Sequence, residues 1–249
     1  MPVRAYCGLL AALAEDLFRS PLAKDRYRMH HPPRSTAPLW LKLGYSLFVA
    51  ILVPVYLVDY GPTNFLYFCD VALLLTVIGL WSGNALWASA GAVGILLPQA
   101  IWMADFMGSG VGLPLIGMTA YMYDDALPLF TRFLSLFHFW LPLLLLYLVW
   151  RFGYDRRAIW FWWPLATGLM VVSYLYVPPP PAPADNPGLP VNVNYVYGLG
   201  DAAPQDWMPA DMYFALALVA LPVVILWPTH FLLRWLFSPP QAKLRRLFS

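Results

Sequence analysis

Asp70 and Arg132 are charged side chains in stretches otherwise apolar enough for the inside of a bilayer, NFLYFCDVALLLTVIGLW (64–81) and LPLFTRFLSLFHFW (127–140). A carboxylate inside a membrane helix costs about 2.5–3.5 kcal/mol on insertion scales. Asp70 therefore needs a compensating partner, and Arg132 is the basic residue placed to supply it. The chemistry such a pair would do is charge pairing that marks a wet interior. Gln99 adds a third polar group, and helical rise puts all three at one expected level, Asp70 about 8 Å below the outer end of its helix. His138 lies six residues beyond Arg132, about 9 Å deeper. It shares a helix face with Thr131, Ser135 and Pro142, a stripe that suits a bundle interior better than lipid. Cys69 is turned ~100° from Asp70 in an ideal helix, so it reaches the same cavity only where that helix is distorted or where Asp70 points along the cavity wall.

Each of these residues also has a plainer reading. Asp70 with Arg132 is most simply a structural ion pair that fixes helix register. Gln99 serves as an interhelical hydrogen-bond donor, and Cys69 as a small packing residue. His138 resists that treatment, because a histidine at mid-membrane usually marks a polar pathway. His230, in WPTHFLLRW, reads as a snorkelling or headgroup-contacting residue, and His30 and His31 as surface residues. Trp160, Trp162 and Trp163, clustered at one helix start, read as an interfacial belt.

The elements that must position these groups follow from composition. Of 249 residues, 61% are hydrophobic and 11% charged, against about 25% charged in soluble domains. The apolar residues fall in six runs, about 39–60, 65–81, 85–106, 127–150, 158–177 and 211–237, each near the ~20 residues a ~30 Å hydrocarbon layer needs. The predicted fold class is therefore an all-α polytopic membrane protein with six transmembrane helices in a bundle over 39–237. A polar, basic N-terminal segment (1–38) precedes the bundle and a basic tail (238–249) follows it. Outer loops are expected at 107–126, glycine-rich and partly re-entrant, and at 178–210. The latter begins PPPPAPADNPG, which proline keeps from being helical, and continues VNVNYVYGLG with strand-like or turn character.

Every lysine and arginine except Arg132 belongs to one face of this arrangement, whereas Asp105, Asp124, Asp125, Asp185, Asp201 and Asp206 belong to the other. That asymmetry puts both termini in the cytoplasm of a multi-pass cell-membrane protein. Val3–Leu13 is followed by Glu15 and Asp16 without a small-residue cleavage site, so a surface-lying amphipathic helix is expected there rather than a cleaved signal. Cys7 and Cys69 have no metal-ligand spacing, and the topology disfavours a disulfide between them. No cofactor, metal site or nucleic-acid partner is expected, because no phosphate-binding glycine loop, ligand cluster or basic patch occurs. Membrane lipids are the expected partners.

Taken in order, four short segments resemble the YwaF-type integral membrane proteins. This family includes a transmembrane cysteine acyltransferase and is distantly similar to androgen-induced fatty-acid-ester hydrolases. Its "LPLxLCD" opening is matched by NFLYFCD ending at Asp70, without the first proline. Its small-residue helix ending in Pro-Asp is matched by AGAVGILLPQ, with Pro98 kept and Gln99 in place of the acid. Its helix with an inward histidine is matched by FLSLFH at His138. Its outer "NYMY" segment is matched by Asn194, Tyr195, Val196 and Tyr197.

The resemblance implies lipid acyl chemistry, with Cys69 accepting an acyl group and His138 assisting. A thiol in an apolar pocket is inert unless a base or a positive charge favours its thiolate. His138 is the candidate base, and Arg132 either supports the thiolate or binds a headgroup phosphate. The expected function is thus a cavity in the outer half that binds a lipid or amphipathic small molecule, with acyl transfer or acyl-ester hydrolysis as its activity. Asp70, Gln99, Arg132, Ser135, Asn194 and Tyr195 are the expected binding residues. The alternative is a non-enzymatic scaffold, carrier or subunit of a larger membrane complex. A proton-coupled transporter relaying through Asp70 and His138 is weakened by the lack of two symmetric halves.

Overall fold

A computed structural model of the chain describes residues 36–237. The expected N-terminal surface helix, Cys7, His30, His31 and the basic tail lie outside the described residues. Among the described residues the fold is all-helical, without strands. Its helices are α1 (Leu39–Asp59), α2 (Phe68–Ser82), α3 (Ala85–Gly110), α4 (Leu129–Leu134), α5 (Phe137–Phe152), α6 (Ala158–Tyr176), α7 (Ala210–Ala220) and α8 (Trp227–Leu236). A π-helical segment, Leu221–Leu226, joins α7 to α8 without a break in direction.

Among the described residues five continuous helices are long and apolar enough to cross a membrane: α1, α3, α4 with α5, α6, and α7 through α8. The expected second span is shorter, at 15 residues. Pro62 begins a separate 3-10 turn over Pro62–Leu66, and extended backbone at Tyr67 keeps the two from merging. Asp70 therefore falls in the first turn of α2, about 3 Å from its start rather than 8 Å.

Helix α3 is the hub, packing against α2, α5, α6, the π-helical segment and α8. Ala88 to Ile95 are buried on every face, which their small side chains permit because neighbouring helices approach closely. The tightest approach is at Gly94, where an added Cβ would meet the Trp162 indole at 1.9 Å. Trp162 is accordingly fully buried, unlike Trp160, which is 60% exposed. The expected interfacial belt thus loses Trp162 to the core, where a glycine socket receives it. His230 is also inside, 5% exposed, with its Nδ1 2.7 Å from the Tyr154 hydroxyl; that partner replaces the expected headgroup contact.

Helix interiors hold Pro54, Pro98, Pro142 and Pro164, which membrane helices tolerate when neighbours satisfy the freed carbonyls. Between α4 and α5 the ladder tightens instead. Leu136, His138 and Phe139 each bond the carbonyl three residues back, at 3.0–3.2 Å.

The long loops 111–128 and 177–209 are each organised by one polar side chain. Asp105, fully buried near the end of α3, accepts the N–H groups of Leu115, Ile116, Gly117 and Thr119 at 2.8–3.0 Å and the Thr119 hydroxyl at 2.7 Å. Gly117 adopts φ +80°, a conformation that lets successive amides converge on the carboxylate. In the longer loop Asn192 accepts the Tyr197 N–H at 2.8 Å and donates to the carbonyls of Gly198 and Gly200 at 3.0 and 2.9 Å. The VNVNYVY segment is consequently a buried turn, not a strand.

Candidate functional site

The N-terminal ends of α2 and α5, the middle of α3 and the loops 111–128 and 177–209 line a cavity of about 680 Å³ with a mainly apolar wall. This is within the ~300–1,000 Å³ that small-molecule pockets span. Asp70, Gln99, Ser135, His138, Asn194, Tyr195 and Cys69 all line it, whereas Arg132 does not.

Asp70 is 2% exposed. Its Oδ2 accepts from Asn64 Nδ2 at 3.1 Å and from the Cys69 thiol at 3.9 Å, and its Oδ1 is buried without a partner. The expected Asp70–Arg132 ion pair does not form. Arg132 Nη2 instead meets Asp125 Oδ1 at 3.2 Å on the outer surface, and its Nη1 donates to the Met122 carbonyl at 3.3 Å. The physical reason is reach: the 3-10 turn over Ala120–Tyr123 and the residues after it bring an acid and a carbonyl next to α4, while Asp70 is held by its neighbour Asn64.

Gln99 is buried, with its Oε1 also lacking a partner. It is not bonded between helices as the plain reading expects. Tyr60 Oη is a third buried oxygen at the cavity without a partner.

His138 heads α5 and stacks on Trp102 with ring centroids 4.5 Å apart. Its Nδ1 lies 2.6 Å from the Ser135 carbonyl. A carbonyl only accepts, so Nδ1 carries the proton and Nε2 keeps its lone pair. Nε2 makes no hydrogen bond among the described residues, so it is the nitrogen available to anything in the cavity. The tightened turn before α5 is what leaves the Ser135 carbonyl within reach of the ring. Ser135 Oγ donates to the Thr131 carbonyl at 3.2 Å, so the Tyr56 hydroxyl, 2.6 Å away, is the donor to it. Thr131 in turn donates its hydroxyl to the Asp59 carboxylate. The stripe on this face thus ties α4 to α1, and only His138 and Ser135 of it border the cavity.

Cys69 and His138 share the cavity, but no hydrogen bond joins them, and the polar neighbour of the thiol is Asp70. Cys69 and Asp70 both line the cavity although both lie in the regular helix α2, after the break at Tyr67, so the expected distortion between them does not occur. Asn194 accepts the Phe68 N–H at 3.0 Å and donates to the Leu66 carbonyl at 2.8 Å, so it caps α2 from the far loop. Asn192, Asn194 and Tyr195 all have left-handed backbone, with φ between 49° and 60°, strain that persists only where surroundings hold it.

Sequence reasoning passed over the aromatic wall. Tyr56, Tyr60, Tyr67, Trp102 and Tyr121 line the cavity. Their signal was present: Tyr56 and Tyr60 are four apart, and Trp102 is three after Gln99, each pair on one helix face. Among the described residues no cluster of three or more metal-ligating side chains occurs. No family model, curated protein or solved structure matches the chain.

Proposed function

We propose that the chain is a six-span membrane protein, termini cytoplasmic, whose outer cavity binds a lipid or another amphipathic small molecule. One observation carries the reading: a mainly apolar space of about 680 Å³ whose lining includes Asp70, Gln99 and Tyr60, each with a buried oxygen that has no partner. An apolar wall with a few placed polar groups is the usual composition of a small-molecule site. Exposed apolar side chains at its edge, Ile101 on α3 and Leu216 on α7, favour entry from the hydrocarbon layer. Helix α2, with the 3-10 turn before it, supplies the sixth span, which returns the chain to the side that holds Arg151, Arg156 and Arg157.

Acyl transfer or acyl-ester hydrolysis, with the YwaF-type relationship, is a second reading. It is favoured by the free Nε2 of His138 in the same cavity as Cys69. It is opposed by the carboxylate beside the thiol, which gives a thiolate no positive charge to pair with.

A long-chain alcohol carrying a diazirine, photolysed with the purified protein and mapped by peptide mass spectrometry, tests the binding reading. Adducts on cavity residues such as Met170 and Tyr121 are expected. Adducts confined to the outer surface of the bundle would overturn it, and the scaffold alternative would then stand. A mass increase on Cys69 after incubation with an acyl thioester would establish the second reading.

A further inference from the structure

The cavity lining contains two carboxylates, Asp70 and Asp201, and neither lysine nor arginine. The basic residue that was expected to balance Asp70 is committed to Asp125 outside. A buried carboxylate oxygen without a donor is a costly arrangement unless a ligand completes it. Two further buried oxygens in the same lining, Gln99 Oε1 and Tyr60 Oη, also lack partners. His138 adds an acceptor, Nε2, because its Nδ1–H is spent on Ser135. What this lining lacks is positive charge.

The wall around Asp70 is aromatic as well as acidic, with Tyr56, Tyr60, Tyr67, Trp102 and Tyr121 at the cavity. Aromatic faces attract cations through the ring quadrupole, most strongly where water is excluded. Rings, a carboxylate and no competing basic residue make up a setting for an ammonium group. A phosphate or carboxylate head would instead face two acidic side chains with no cation to offset them.

We propose that the cavity takes an amphiphile whose polar end is a primary ammonium, seated against the Asp70 carboxylate with its hydrocarbon along the apolar wall. This rests on the binding reading above and names the chemical class of its ligand. A primary ammonium brings both a charge and N–H donors to the Asp70 carboxylate. A quaternary head keeps the charge and the ring contacts but has no N–H to offer.

The test is competition against the diazirine alcohol, with protein in a neutral detergent. Dodecylamine, dodecyltrimethylammonium and dodecanoate are the competitors. Dodecylamine is expected to displace the probe at a concentration about tenfold or more below dodecanoate, the worth of one charge-assisted hydrogen bond. Dodecyltrimethylammonium is expected between them. In Asp70→Asn the amine's advantage over dodecanoate should vanish while the alcohol still labels the cavity. Equal or better competition by dodecanoate in the unaltered protein overturns the inference without any variant, so a poorly folding Asp70→Asn leaves the test intact. An amine advantage that survives Asp70→Asn overturns it too. Failure of the alcohol to label the cavity at all overturns the binding reading itself, a separate outcome.

Discussion

Asn194 Oδ1 accepts the backbone N–H of Phe68 at 3.0 Å, across 126 positions of sequence. The first N–H groups of a helix have no partner within it, and α2 has no side-chain cap of its own at Tyr67. The loop 177–209 supplies that cap, and by doing so it fixes the end of the helix on which Cys69 and Asp70 sit. The loop is thus part of the site's framework, not a flap over it.

Asn194→Ala is expected to lower stability by about 0.5–2 kcal/mol, the range for losing a capping side chain. It also strands the Leu66 carbonyl, which Asn194 Nδ2 holds at 2.8 Å. Asn194→Asp keeps the acceptor for Phe68 and loses the donor, so its thermal midpoint in detergent should fall between those of the parent and the alanine variant. A midpoint for Asn194→Ala equal to the parent's would show that the loop does not anchor α2.

Gly94→Ala puts a methyl carbon 1.9 Å from Trp162 Cε2 and 2.4 Å from its Nε1. Trp162 is fully buried, so the ring has nowhere to retreat without moving α6. The expected cost is about 1–3 kcal/mol, as for other overpacked cores. Trp162→Phe should recover part of it, read as a positive coupling in a double-mutant cycle of thermal midpoints. Additive effects would place the clash elsewhere.

Helix content and helix ends were legible in the sequence because lipid imposes length and apolarity on each segment. The expected runs 39–60, 158–177 and 211–237 meet α1, α6 and the α7–α8 helix within a residue at each end. The break at Tyr67 was not legible, because the apolar pattern continues across it and only Pro62 hints at a turn. Among the site residues, Cys69, Asp70, Gln99, Ser135 and His138 were found because polar atoms in apolar runs stand out. The partner of Asp70 was misassigned by the same logic. Matching depth says which charges could meet, but rotation about the helix axis and the local competitor Asn64 decide which do. The tyrosine wall was hidden in a composition already 17% aromatic.

Arg132 gives a direct reading of that reassignment. Were it the mate of Asp70, neutralising it would strand a buried charge and cost several kcal/mol. Its acid is Asp125, whose side chain is 98% exposed, and such surface pairs contribute about 0–1 kcal/mol. Asp125→Asn should therefore shift the thermal midpoint little, and less still at high salt, whereas Arg132→Gln also gives up the bond to the Met122 carbonyl and should cost about 0.5–1.5 kcal/mol more. A large loss from Arg132→Gln alone would restore the buried pair.

Asp201 supplies the pH dependence. Burial in the loop 177–209 raises its carboxyl from the ordinary value of 3.8 to about 6, opposed by the hydrogen bond from Asn192. A folded-state value above the unfolded one means that ionisation disfavours the folded loop. Its contribution to stability is therefore fully present below about pH 4 and is lost as pH rises through about 6. Asn192 also holds Tyr197 and Gly198, so the strain of an ionised Asp201 is delivered to the VNVNYVY turn. Limited proteolysis within 191–201 should accelerate between pH 4 and pH 7 beyond the protease's own profile on a denatured control. Asp201→Asn keeps an acceptor for Asn192 and cannot ionise, so its cleavage should stay slow across that range. Cleavage of the variant that follows the parent's pH curve would assign the dependence to another group.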